Sequence, residues 1–84
     1  MYQLCFTDTA KKQYNSLNSK LKKQVDKGLD RITLNPNKGK PLRGSLKGIW
    51  SERVSTYRIL YKIISREIRI LVLLIEHRKS VYGD

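Results

Sequence analysis

The sequence predicts an α+β fold: an N-terminal strand, an α-helical hairpin, then a three-stranded antiparallel meander, with the helices packed on one face of the sheet. Three observations lead there. The chain opens on a short alternating segment, Tyr2–Phe6 (YQLCF). Apolar residues then recur at intervals of three or four, through Ala10, Tyr14, Leu17, Leu21, Val25, Leu29 and Ile32, as one helical stripe. Finally, three β-rich segments follow one another with only short breaks between them.

Each element has a local cause. Thr7 or Asp8 supplies a side-chain oxygen to cap a helix over about 8–17. Leu17–Ser19 (LNS) interrupts the stripe with turn-formers and a second capping candidate, so a second helix spans about 19–33. Lys11, Lys12, Lys20, Lys22, Lys23 and Lys27 face outward on the hairpin. Asn35–Pro41 (NPNKGKP) stops the second helix, and the loop runs on through Leu42–Gly48. Strands over Ile49–Val54, Tyr57–Ile63 and Glu67–Glu76 are joined by Ser55–Thr56 and Ile64–Arg66, both short enough for hairpin turns. Alternation sets Trp50, Glu52 and Val54 against Ser51 and Arg53, and Tyr57, Ile59, Tyr61 and Ile63 against Arg58, Leu60 and Lys62. One face is therefore buried under the helices. Depending on register, Arg53 and Arg58 emerge together on the other, facing water.

Eighty-four residues support one domain, 1–84, with one hydrophobic core. No stretch reaches the ~18–20 apolar residues that span a bilayer, and the N-terminus lacks the pattern of a signal peptide. A cytoplasmic protein with no membrane partner is expected. A single cysteine, Cys5, excludes an intramolecular disulfide and a Cys-rich zinc site, and its alternating surroundings point to a core thiol. Eighteen Lys and Arg against seven Asp and Glu give a net charge of +11. Such an excess favours association with polyanions.

No nucleophile elbow, phosphate-cradling glycine loop or dinucleotide fingerprint occurs. What concentrates is Arg53, Arg58, His77, Arg78, Lys79 and Tyr82, together with the loop cations Lys38, Lys40, Arg43 and Lys47. Guanidinium forks match the oxygens of a phosphodiester, and an aromatic hydroxyl stands beside them. RNA cleaves when its 2′-OH attacks the adjacent phosphorus. A catalyst must orient that attack, move two protons and stabilise charge on the pentacoordinate transition state. Arg58 and Arg78 suit the last task, and His77 or Tyr82 suits proton transfer. The chemistry requires no cofactor or metal. From the residues alone, binding of RNA or another polyanion is better supported than its cleavage.

The segment KPLRGSLKGIWSERVSTYRILYKI, followed by an apolar strand and EHRKSVY, resembles the RelE/ParE superfamily of bacterial and archaeal toxins. The resemblance runs from FTDTAKKQYNSL through Tyr82. It implies a ribosome-dependent endoribonuclease of the RelE type, which cuts mRNA in the ribosomal A site and is held inactive by an antitoxin wrapped around it. It places transition-state arginines at Arg58 and Arg78, a functional tyrosine at Tyr82 and a basic strand residue at Arg53. The family has a lysine two residues before Arg53. This chain has Ser51 there, and Lys47 or His77 is the expected substitute. Two other functions are compatible with the basic surface. ParE-type members bind DNA gyrase without cutting RNA, and a non-catalytic nucleic-acid-binding module would need the cations but not Tyr82.

Overall fold

Thr7 turns the first strand into the first helix. In the computed structural model, which describes residues 1–77, strand β1 (Gln3–Phe6) leads to Thr7 in extended backbone. The Thr7 hydroxyl accepts the Ala10 N–H at 3.1 Å and donates to the Leu73 carbonyl at 2.9 Å. One residue thus caps helix α1 (Asp8–Asn15) and ties it to the sheet. Helix α1 ends earlier than its apolar period does, at Ser16, whose hydroxyl donates to the Gln13 carbonyl. Leu17 is still buried although it lies beyond the helix. Asn18 then accepts the Leu21 N–H at 2.9 Å and starts helix α2 (Ser19–Leu34). Pro36 stands just beyond its end, at the start of a single tight turn over Pro36–Lys38.

The five-stranded sheet has the order β1-β5-β4-β3-β2. Strands β3 (Trp50–Val54), β4 (Tyr57–Ile64) and β5 (Arg69–His77) form the anticipated antiparallel meander. The tight β3–β4 turn uses Ser55 in left-handed backbone, φ 54°. Between β4 and β5, Ser65–Glu67 form a turn and Ile68 is also left-handed, so β5 starts at Arg69 rather than Glu67. Strand β1 lies parallel to β5 on its far side, which makes the sheet mixed. An edge strand not anticipated from sequence, β2 (Lys40–Pro41), pairs with β3.

Ala10, Leu17, Val25, Leu29 and Ile32 of the helical hairpin pack on Val54, Ile59, Tyr61, Ile70, Val72 and Ile75 of the sheet. Each buried Val, Leu or Ile side chain among them contributes about 1.5–3 kcal/mol. Gly28 brings α2 against β3 so closely that a Cβ there would strike Val54.

The core positions of β5 are spaced by two residues, then by three. The register shifts between the pairs Leu60↔Leu74 and Tyr61↔Val72, leaving Leu73 as the extra residue of a β-bulge. That insertion returns Ile75 to the core side. Beyond Phe6↔Val72, β1 no longer covers β5. Gln13 of α1 takes over: its Oε1 accepts the Ile75 N–H at 2.7 Å, and its Nε2 donates to the Glu76 carboxylate at 2.8 Å.

Candidate functional site

Arg53 and Arg58 stand directly opposite one another across β3 and β4, and Glu76 faces Arg58 from β5. All three lie on the sheet face away from the helices, one position out of phase with Val54, Ile59 and Ile75. The face was expected to be open water, but its middle is not. Arg58 is only 9% exposed, Ser51 7% and Leu60 4%, whereas Arg53 is exposed. Arg58 occupies the fourth-made but central strand, flanked by paired strands on both sides, and alternation alone does not register that depth. Like charges directly opposite one another on neighbouring strands cost stability, and here the acidic Glu76 stands on the other side of Arg58.

Beside the pair is a hollow of about 310 Å³ lined by Lys38, Gly39, Lys40, Ser51, Glu52, Arg53 and Arg58. Lys40 arrives on β2 in register with Ser51. Glu52 does not cancel the cations, because its carboxylate is paired with Arg31 of α2 at 2.9 Å. The same guanidinium reaches the Arg53 carbonyl at 3.4 Å.

Tyr61, fully buried, donates its hydroxyl to the Pro36 carbonyl at 2.7 Å. Burial pushes its phenol up to about 12, with the Glu52 charge adding to the rise and a backbone hydrogen bond from Gly39 opposing it. The hydroxyl is therefore a permanent donor at ordinary pH. A Cβ on Gly39 would collide with that hydroxyl, so only glycine lets the segment lie this close.

Other candidates lie elsewhere. Arg43 and Lys47 line a separate hollow with Pro41, Leu42 and Trp50. His77 was expected beside Arg58. Instead it pairs with Tyr57, its ring 5.7 Å from the Tyr57 ring and edge-on to it, on the opposite face from Arg58. The bulge at Leu73 is the cause, since one inserted residue reverses which face every later side chain takes. Lys47 and His77 thus both lie away from Ser51, whereas Lys40 is in register with it. Arg78, Lys79 and Tyr82 lie outside the described residues. Cys5 is half-buried rather than a core thiol. No helix among the described residues is long and apolar enough to cross a membrane.

Sequence reasoning missed Tyr61, Pro36, Gly39 and Arg31. NPNKGKP was legible as a helix stop, but nothing local told that its proline carbonyl meets a tyrosine 25 residues later.

The chain thus sets a helical hairpin on one face of a mixed sheet and a cationic hollow on the other, a small basic α+β domain. The chain belongs to the family of ParE toxins of type II toxin–antitoxin systems, matching it over residues 4–82. Toxin RelG of Mycobacterium tuberculosis is 34% identical over 83 residues, which cover 96% of this chain and 95% of that protein. In the crystal structure of the toxin–antitoxin complex RelBE2 from the same organism, a chain 33% identical superposes with a TM-score of 0.83, covering 92% of this chain and 98% of that one. The intact RelBE complex of E. coli gives 0.80 at 25% identity, covering 92% and 96%. The resemblance read from the sequence thus holds: this is a toxin of the RelE/ParE kind.

Proposed function

We propose that this toxin is a ribosome-dependent endoribonuclease that cuts mRNA in the A site. The observation that most supports this is the register pair Arg53↔Arg58, sharing its hollow with Lys38 and Lys40. In the reaction the 2′-oxygen forms a bond to phosphorus as the bond to the 5′-oxygen breaks. One proton leaves the nucleophile and another reaches the leaving group, giving a 2′,3′-cyclic phosphate and a 5′-hydroxyl. Arg58 and Arg53 hold the phosphate oxygens as charge accumulates on them, with Lys40 beside them at Ser51. Arg78 completes the cation set and Tyr82 moves a proton, as the resemblance implies; His77, on the other face, is left out of the site. The ribosome supplies substrate orientation, worth several kcal/mol of barrier.

The relatives were solved as toxin–antitoxin complexes, which supports a cognate antitoxin as partner. For a chain of +11, an acidic or amphipathic segment that folds on contact fits best.

Primer extension on an mRNA translated with and without the protein tests the reading. Arg58→Lys keeps charge and most of the buried stem but loses the fork, so it isolates chemistry from folding. It and Arg53→Ala should each lower cleavage ~100–1,000-fold. Tyr82→Phe should do the same without loss of thermal stability. Gyrase inhibition with no mRNA cuts would overturn the proposal in favour of a ParE-type action.

A further inference from the structure

Lys38 and Lys40 reach the hollow from a segment with little secondary structure of its own. Pro36–Lys38 is one tight turn, and β2 has only two residues, of which Pro41 has no N–H to give. Two flexible ammonium side chains gain from a phosphate only if their backbone is already in place; otherwise ordering the loop offsets the contact. The placement comes from the opposite side of the sheet. Tyr61 points into the helix-side core, yet its hydroxyl meets the Pro36 carbonyl, and the Gly39 backbone packs on the same hydroxyl. From that anchor the chain wraps the β3 edge and delivers Lys40 opposite Ser51, on the face of Arg53 and Arg58.

We infer that Tyr61 is a positioning residue of the phosphate site: its hydroxyl, bonded to Pro36 and packed against Gly39, fixes the 36–41 segment so that Lys38 and Lys40 act with Arg53 and Arg58 on one phosphodiester backbone. The inference rests on the RNA-directed reading above. It assigns a role in binding to a group that never touches RNA.

The test is the salt dependence of binding to a short fluorescent single-stranded RNA whose riboses carry 2′-O-methyl groups, so that it is not cut. Each lysine–phosphate contact contributes roughly 0.7 to the slope of log K against log salt on single strands. The Lys38→Ala/Lys40→Ala double variant should therefore lose about 1.4 of slope. Tyr61→Phe should lose a similar amount, and should lose nothing more when added to the double variant. Arg53→Ala should lower the slope in every background. Gly39→Ala, which pushes the segment off Tyr61 by a different route, should copy Tyr61→Phe and decides the matter if the latter fails to fold. A Tyr61→Phe or Gly39→Ala protein that is folded and keeps the full slope, while the double variant loses it, overturns the positioning role alone. Salt-independent binding by the unsubstituted protein overturns the RNA reading, and the inference with it.

Discussion

Gln13 caps the stretch of β5 that β1 leaves bare, and removing it should loosen the end of the strand that faces Arg58. In Gln13→Ala the Ile75 N–H loses its acceptor at a half-buried edge, and the Glu76 carboxylate loses a donor. An unsatisfied backbone donor costs about 1–3 kcal/mol when buried, and a bond to a charged group contributes about 1.5–3. With water able to replace part of both, the net loss should be about 2 kcal/mol. In a chain of this size each kcal/mol moves Tm by about 4–8 °C, so a fall of roughly 8–16 °C is expected in a thermal melt followed by circular dichroism. Gln13→Glu sharpens the test. It keeps an acceptor for Ile75 but sets a second carboxylate against Glu76, so it should be more damaging than alanine at neutral pH. In acid, where the pair takes up a proton and repulsion fades, much of the loss should return. A Gln13→Ala protein melting within ~2 °C of the parent, well inside the shift expected for 1 kcal/mol, would refute the capping role. A Gln13→Glu protein equally weakened at both pH values would show that repulsion by Glu76 is not what matters.

Ile75→Ala, on the core side just after the bulge, should cost ~2–5 kcal/mol in urea unfolding, whereas Leu73→Ala at the half-buried bulge position should cost roughly 1. Equal losses would mean that the bulge is misplaced. Thr7→Ala removes both a helix cap and a bond to Leu73, and should lower stability by about 1 kcal/mol. Between pH 10 and about 12 the unfolded chain releases the Tyr61 proton while the native protein keeps it, so native stability conferred by the raised phenol is complete below pH 10 and drains away through this range. Tyr61→Phe should lack that component, which chemical denaturation at pH 9 and 11 will reveal as a shallower loss; an identical loss in the two proteins would refute it.

The helices were legible because a long stripe at helical spacing leaves few alternatives and Thr7 and Asn18 are good caps. That Arg53 and Arg58 can share a face was legible from alternation across one short hairpin, whereas their direct pairing rests on a register that the sequence left open. What escaped depends on distant chain. The bulge at Leu73 exists only because β5 must satisfy β4, β1 and Gln13 at once, and it moved His77 to the other face. The burial of Arg58 follows from its strand being central, which no alternation reports. Strand β2 was hidden because it has only two residues, one of them proline, and exists only through its pairing with β3.

The parallel pairing of β1 with β5 joins Gln3 to Arg69, so two of the most separated described stretches of chain become neighbours. Strand β5 is the last of the described strands to be synthesised, yet it lies between β1 and β4. A nascent chain short of it has no sheet to close and no surface to receive the apolar side of the hairpin. Such non-local closure makes folding slow relative to helical proteins of equal size. It also ties folding to length: at the ~5–20 residues per second of synthesis, the sheet cannot close until nearly all of residues 1–77 have emerged.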